Sequence, residues 1–97
     1  MYQSKFGNQD IDQLYEAILT LKTKEECYRF FEDLCTIKEI FDMAQRLKVA
    51  KMLTDKRPYT EIVLETKAST ATISRVNKSL IYGAEGYHLY FNKIKQK

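Results

Sequence analysis

The chain has 97 residues, 44% of them hydrophobic, which suits one small folded domain and excludes a disordered chain. Its net charge of +3 is unevenly distributed, with −4 over residues 1–43, +5 over residues 44–80 and +2 over residues 81–97, so a polyanion partner and a merely solvated basic surface both stay open. No apolar stretch is long enough for a membrane span or a signal peptide, and we therefore expect a cytoplasmic protein.

The first part of the chain has helical periodicity. Residues 1–9 predict a flexible N-terminal arm, and Asp10 or Asp12 is expected to cap a helix that runs to about Leu21. Residues 10–97 are predicted to form a single helical domain. The apolar face of the first helix comprises Ile11, Leu14, Tyr15, Ile18, Leu19 and Leu21.

A second helix is predicted up to about Cys35. Thr23, with Glu26 three residues later, matches a capping box at its start. Cys27 and Cys35 lack the spacing of a metal site, so we expect reduced thiols and no bound metal. The side chains expected to be buried on one face of this helix are Cys27, Phe30, Phe31 and Leu34.

A third helical region follows, in which Thr36 and Glu39 repeat the capping-box pattern. Apolar residues then recur every three or four positions as far as Leu53, which is a helical spacing. The sequence leaves open whether this region is one helix or two helices with a bend near residues 42–44. Residues 10–55, with their Phe and Tyr side chains, are expected to build the core of a dimer.

Residues 59–80 predict a helix-turn-helix. Pro58 disfavours helix in the residue before it and suits the first positions of the next helix. A short helix is therefore expected to begin at Tyr59 or Thr60 and to end near Thr66. A break at residues 67–68 follows it.

The second helix of this unit is expected to begin after Ser69, a good N-cap, and to end near Ile81. Lys67 stands in the turn where such units usually have glycine, so a left-handed conformation there would cost about 1 kcal/mol. Gly83 then interrupts the chain before a last helix, predicted over residues 86–95.

The first turns of the second helix carry small side chains, which let a helix approach the base edges of the major groove closely. The side chains expected to pack the two helices together are Ile62, Val63, Thr66, Ala68, Ile73 and Val76. Those expected to approach the bases of double-stranded DNA are Thr70, Ala71, Thr72 and Ser74. Those expected to bind phosphate are Lys56, Arg57, Lys67, Arg75 and Lys78. An ordinary αα-hairpin with polar ends would give the same generic pattern.

Two runs of sequence are more specific than this generic helix-turn-helix pattern. The runs ASTATISRVNKSLIYGAEGY, residues 68–87, and EIFDMAQRLKVAKML, residues 39–53, resemble the tryptophan-repressor-like family, and in particular its Firmicute-type branch of small regulators. The resemblance extends over about residues 10–92. It implies an all-α, intertwined homodimer that acts as a sequence-specific transcriptional regulator, most simply a repressor. Its two helix-turn-helix units would bind a palindromic operator with half-sites about one helical turn apart.

The resemblance also implies a candidate ligand pocket. Arg46 and Arg75 match the two arginines that hold the corepressor in the tryptophan repressor, if one residue is gapped near Asp55, and Ser79 matches a serine of the pocket rim. Val76 stands where that repressor has glycine, and its two methyl groups disfavour L-tryptophan. We expect no bound cofactor, and a different small-molecule corepressor stays open. The simpler roles are a phosphate contact for Arg75 and an ion pair for Arg46.

An enzyme is not expected. The chain has one histidine, His88, and lacks a Ser/His/Asp set and a Gly-rich phosphate loop. Two other interpretations stay open: a helical dimerisation or protein-interaction module that does not bind DNA, and a repressor gated by an amino acid. Salt dependence of DNA binding separates the first from a regulator, and thermal stabilisation by L-tryptophan identifies the second.

Overall fold

The computed structural model describes residues 2–95, which form six helices and no strand. The predicted all-α architecture is confirmed. Met1, Gln96 and Lys97, which belong to the predicted arm and domain, lie outside the described residues. The helices are α1 (Gln9–Leu19), α2 (Lys24–Leu34), α3 (Ile37–Thr54), α4 (Tyr59–Thr66), α5 (Thr70–Tyr82) and α6 (Gly86–Lys95).

The chain divides into two compact units between Thr36 and Ile37. The first unit contains α1 and α2, and the second contains the four remaining helices of the described chain. The single domain predicted over residues 10–97 therefore includes the boundary between the two units.

Helix α1 begins earlier than the sequence predicts. Its N-cap is Asn8, whose side-chain oxygen accepts a hydrogen bond of 2.9 Å from the amide of Ile11. The prediction of Asp10 or Asp12 as the cap is wrong, because both carboxylates lie inside the first turn. There they face the positive end of the helix dipole, which is favourable without a capping hydrogen bond.

The start of α2 has the Thr23 cap of the predicted capping box, whereas the Glu26 carboxylate accepts from the amide one residue before the cap. The Thr23 hydroxyl accepts a hydrogen bond of 3.1 Å from the Glu26 amide, and the Glu26 carboxylate accepts one of 2.9 Å from the Lys22 amide. The predicted buried face of α2 is wrong in part, since Cys27 and Leu34 are exposed. Within Gln9–Leu19 and Lys24–Leu34 no side chain is buried, so both helices leave apolar surface in solvent.

The core of the second unit lies around α3. This helix is continuous over 18 residues, without the bend that the sequence left open. It packs against α4, α5 and α6. Each large side chain buried there stabilises the fold by about 1.5–3 kcal/mol. The buried core side chains are Val49, Ala50, Met52, Ile62, Ala68, Ile73, Val76, Leu80 and Phe91.

Helix α6 contacts the C-terminal part of α5 through a side chain. His88 Nε2 lies 2.7 Å from the carbonyl oxygen of Leu80, and the ring of Tyr87 stacks on that of Phe91 at 6.4 Å. At Gly83 a β-carbon would collide with the backbone of Ser79, so only glycine fits this close approach. None of the helices between residues 2 and 95 combines the length and apolar character that a membrane span needs.

Candidate nucleic-acid interface

Helices α4 and α5 form the predicted helix-turn-helix. Helix α4 ends at Lys67, which has the left-handed conformation that the missing glycine implies, with φ 62° and ψ 12°. The amide of Lys67 donates to the Val63 carbonyl at 2.9 Å. Ser69 then caps α5, since its hydroxyl accepts a hydrogen bond of 3.1 Å from the amide of Thr72. The local signals in the sequence therefore locate both ends of the turn.

Hydrogen bonds from Thr66 and Gln45 hold this turn. The Thr66 hydroxyl donates to the Ile62 carbonyl at 2.7 Å and accepts from the Ala68 amide at 3.1 Å. The side-chain amide of Gln45, on α3, donates to the Thr66 carbonyl at 3.0 Å. Sequence reasoning missed Gln45, because no local pattern connects two residues 21 positions apart.

The outer face of α5 carries the predicted base-contacting residues. Thr70, Ala71 and Ser74 are exposed along its first turns, and the opposite face packs into the core. Thr72 is placed differently, because it is half-buried and its hydroxyl accepts a hydrogen bond of 3.1 Å from Ser69. That hydroxyl still has its own O–H to donate, so both the hydroxyl and the methyl group of Thr72 are means of contacting a base.

Four of the five predicted phosphate-binding residues are exposed: Lys56, Lys67, Arg75 and Lys78. Lys56 shares the left-handed conformation of Lys67, with φ 63°. Lys56 follows the end of α3 and Lys67 ends α4, while the other two side chains lie on α5. The unit therefore carries exposed cations before its first helix, in its turn and along its second helix.

Arg57 is the exception among these cations. Its Nε lies 2.8 Å from the Glu61 carboxylate and its Nη2 lies 2.6 Å from the Glu65 carboxylate, both on α4. Hydrogen bonds to Glu61 and Glu65 raise the pKa of Arg57, so its charge is permanent. Because two carboxylates already bind this guanidinium and offset its charge, its placement differs from the free phosphate-binding side chain that the sequence suggests.

The three candidate ligand residues differ in helix and in exposure. Arg46 is half-buried on α3, whereas Arg75 and Ser79 are exposed on α5. Ser79 lines a cleft of about 410 Å³, and neither arginine lines it. Val76 is 1% exposed and belongs to the buried core. The other residues that line the cleft are Leu47, Gly83, Ala84, Gly86, Tyr87 and Tyr90.

A metal site has no support in the described part of the chain. Residues 2–95 contain no group of three His, Cys, Asp or Glu side chains that could hold an ion. Both cysteines are free thiols, with Cys27 exposed and Cys35 half-buried.

Comparisons with known proteins agree with this architecture. A family model described as Trp repressor protein matches residues 9–95. The uncharacterized protein YerC of Bacillus subtilis is 51% identical over 96 residues, which cover 99% of this chain and 92% of that protein.

Two crystal structures resemble the whole fold. A TrpR-like protein from Eubacterium eligens has a TM-score of 0.91 and 53% identity, with 94% of each chain covered. A Trp repressor candidate from Staphylococcus aureus has a TM-score of 0.90 and 46% identity, covering 96% of this chain and 93% of that one.

Proposed function

The chain belongs to the Trp repressor protein family, and from this premise we propose that it is a sequence-specific DNA-binding regulator of transcription. The observation that carries the proposal is the outer face of α5. Small side chains are exposed on its first turns, while Ile73, Val76 and Leu80 fix the opposite face in the core. A rigid helix with a low-profile surface can enter the major groove and place its side chains against base edges.

Each exposed group has a role in this complex. Thr70 and Ser74 offer hydroxyl groups for hydrogen bonds to base edges, and Ala71 offers a methyl group for contact with thymine. The half-buried Thr72 offers its methyl group and the O–H of its hydroxyl, which also accepts a hydrogen bond from Ser69. Phosphate contacts are assigned to Lys56, Lys67, Arg75 and Lys78, all of which are exposed.

The regulator acts as a homodimer in this proposal. Helices α1 and α2 bury none of their own side chains, and Leu19 is 82% exposed. A second copy of the chain offers matching apolar surface, and a two-fold dimer presents two copies of α5. The expected operator is therefore a palindrome with half-sites about one helical turn, or roughly 34–36 Å, apart, and the simplest action at such a site is repression.

Selection of bound sequences from random duplex DNA tests the proposal. We expect enrichment of a palindrome, and an affinity that falls steeply with salt in proportion to the phosphate contacts. Ser74→Glu should abolish selective binding, because a carboxylate would face the phosphates and base acceptors of the groove. Asn92→Glu, which adds the same charge on the exposed surface of α6, serves as the control.

Two results would contradict the proposal. One is recovery of no preferred sequence, and the other is an affinity for duplex DNA that does not change with salt. Together with stable self-association, these results would instead support a helical interaction module that does not bind DNA.

The proposed regulator does not use L-tryptophan as its corepressor. Val76 is buried in the core, and its two methyl groups stand where the tryptophan repressor has glycine, which disfavours the close approach of an indole ring. We expect the thermal unfolding midpoint to be the same with and without millimolar L-tryptophan. A rise of several degrees would instead support a repressor gated by an amino acid.

A further inference from the structure

We propose that Gln45 is a positioning residue for DNA recognition, which holds the turn of the helix-turn-helix in register with α3. The inference rests on the proposed function and names a residue outside the helix-turn-helix itself. Its basis is one hydrogen bond of 3.0 Å between the Gln45 side-chain amide and the Thr66 carbonyl, in a partly buried environment.

The turn needs external support because its backbone is strained. A left-handed lysine at position 67 is less favourable than glycine would be, and the last carbonyl groups of α4 have no partners within the helix. Thr66 is the last residue of α4, and its carbonyl is one of these groups. Gln45 supplies the missing donor from a different helix, so the turn is tied to α3 as well as to its own chain neighbours.

Thr66 also stabilises the turn through its own side chain. Its hydroxyl accepts from the Ala68 amide, which lies on the far side of the left-handed Lys67. Helix α5 begins four residues after Thr66, at Thr70. The position of the Thr66 backbone therefore helps to set where the first turn of α5 lies relative to α3, in addition to the direct packing of α5 on α3.

Contacts to bases depend more strongly on the placement of the first turn of α5 than contacts to phosphates do. Hydrogen bonds to base edges weaken steeply when distance or angle changes, and those of Thr70 and Ser74 come from short side chains. The side chains of Lys56 and Lys67 are long and flexible, and an ammonium group attracts a phosphate without demanding one geometry. Loosening the turn should therefore reduce sequence selectivity while leaving general attraction to DNA intact.

The test compares Gln45→Met, which keeps the size of the side chain and removes the donor, with Gln13→Met on α1 as the control. We expect Gln45→Met to bind the selected operator about tenfold more weakly, the effect of roughly 1.4 kcal/mol, which is within the range for one buried hydrogen bond lost. Binding to unrelated duplex DNA and the slope of affinity against salt should not change.

Hydrogen exchange provides a readout that does not involve DNA. The amides of Lys67 and Ala68, which close the turn, should exchange about tenfold faster in Gln45→Met, while that of Ile73 in the core of α5 should not. In a Lys67→Gly background, where the turn is no longer strained, Gln45→Met should have a smaller effect on operator binding.

Each outcome decides the inference. If hydrogen exchange at the amides of Lys67 and Ala68 is unchanged in Gln45→Met, the Gln45 hydrogen bond does not hold the turn. If Gln45→Met weakens binding to the operator and to unrelated DNA equally, Gln45 does not position the base-contacting residues. If the wild-type chain selects no DNA sequence, the proposed function fails and the positioning role fails with it, while hydrogen exchange still shows separately whether Gln45 holds the turn.

Discussion

At the scale of single residues, the most unusual backbone conformation is the left-handed one, which favours glycine but is adopted here by charged residues. Between residues 2 and 95, Lys56, Lys67 and Glu85 are the non-glycine residues with positive φ, at 63°, 62° and 69°. The sequence predicts the strain at Lys67, because the turn requires a left-handed residue and no glycine is present. It gives no comparable signal for Lys56 or Glu85.

Lys67→Gly should stabilise the protein and weaken its binding to DNA. Glycine adopts the left-handed conformation freely, so we expect unfolding to require about 0.5–1 kcal/mol more. Loss of one phosphate contact should lower the log–log salt slope by about 0.9. Chemical denaturation and DNA titrations measure the two effects.

Glu85→Gly is the matched control for this substitution. It relieves strain at φ 69° and removes no proposed DNA contact. It should raise stability alone. An equal change of salt slope in both variants would contradict the assignment of Lys67 to a phosphate.

A second residue-scale feature is the restraint on Arg57. Its guanidinium is paired with Glu61 and Glu65 at 2.8 and 2.6 Å. We expect Glu61→Gln combined with Glu65→Gln to release Arg57 towards the phosphates. The DNA salt slope should then steepen by about 0.9, and affinity at low salt should rise.

A third substitution separates this effect from the loss of two negative charges. Adding Arg57→Gln to the double variant should restore the shallower slope. If the slope stays steep without Arg57, its release is not the cause. Glu25→Gln, which breaks the exposed pair with Arg29 on α2, should leave DNA binding unchanged.

At the scale of helices, local signals predicted more than long-range contacts did. Thr23 and Ser69 cap their helices as expected, because a cap involves residues only three positions apart. The burial of Cys27 and Leu34 was predicted wrongly, because periodicity identifies an apolar face but not what covers it. Gln45 could not be found for the same reason, since its partner is determined by packing.

The junction between α5 and α6 gives a test at this scale. A β-carbon at Gly83 would press against the backbone of Ser79, which cannot move without unwinding the last turn of α5. We expect Gly83→Ala to reduce the free energy of unfolding by about 1–3 kcal/mol, as overpacked sites do.

Gly86 provides the comparison in the same junction. A β-carbon at Gly86 would meet nothing within 4 Å, so Gly86→Ala should leave stability unchanged or raise it by about 0.5 kcal/mol. Equal losses at both positions, measured by thermal and urea unfolding, would show that the contact with Ser79 is not what requires glycine.

At the scale of the whole molecule, the buried apolar side chains of the described residues belong to the second unit, whereas exposed ones occur in both units. Among the described residues, the buried hydrophobic side chains all lie between Val49 and Phe91. Helices α1 and α2, in the acidic part of the sequence, expose large apolar side chains such as Tyr15 and Tyr28. Surface of this kind is typical of a chain that completes its core by association.

Self-association should therefore appear as a dependence of stability on protein concentration. For a folded dimer, a tenfold rise in concentration stabilises the native state by about 1.4 kcal/mol, and the unfolding midpoint rises with it. Leu19→Glu should weaken association in sedimentation experiments, because it places a charge on the apolar face of α1. Gln13→Glu adds the same charge to an exposed polar position, and an identical effect of the two would argue against an apolar interface.

The exposed faces of α1 and α2 also matter while the chain is being made. Residues 1–36 emerge from the ribosome before the segment that contains the buried core, between Val49 and Phe91, has fully emerged. Until a partner covers them, these amphipathic helices are surfaces to which other nascent chains can adhere. Two copies translated by neighbouring ribosomes on one mRNA would associate earliest. The yield of active protein should therefore rise with the density of ribosomes on that mRNA.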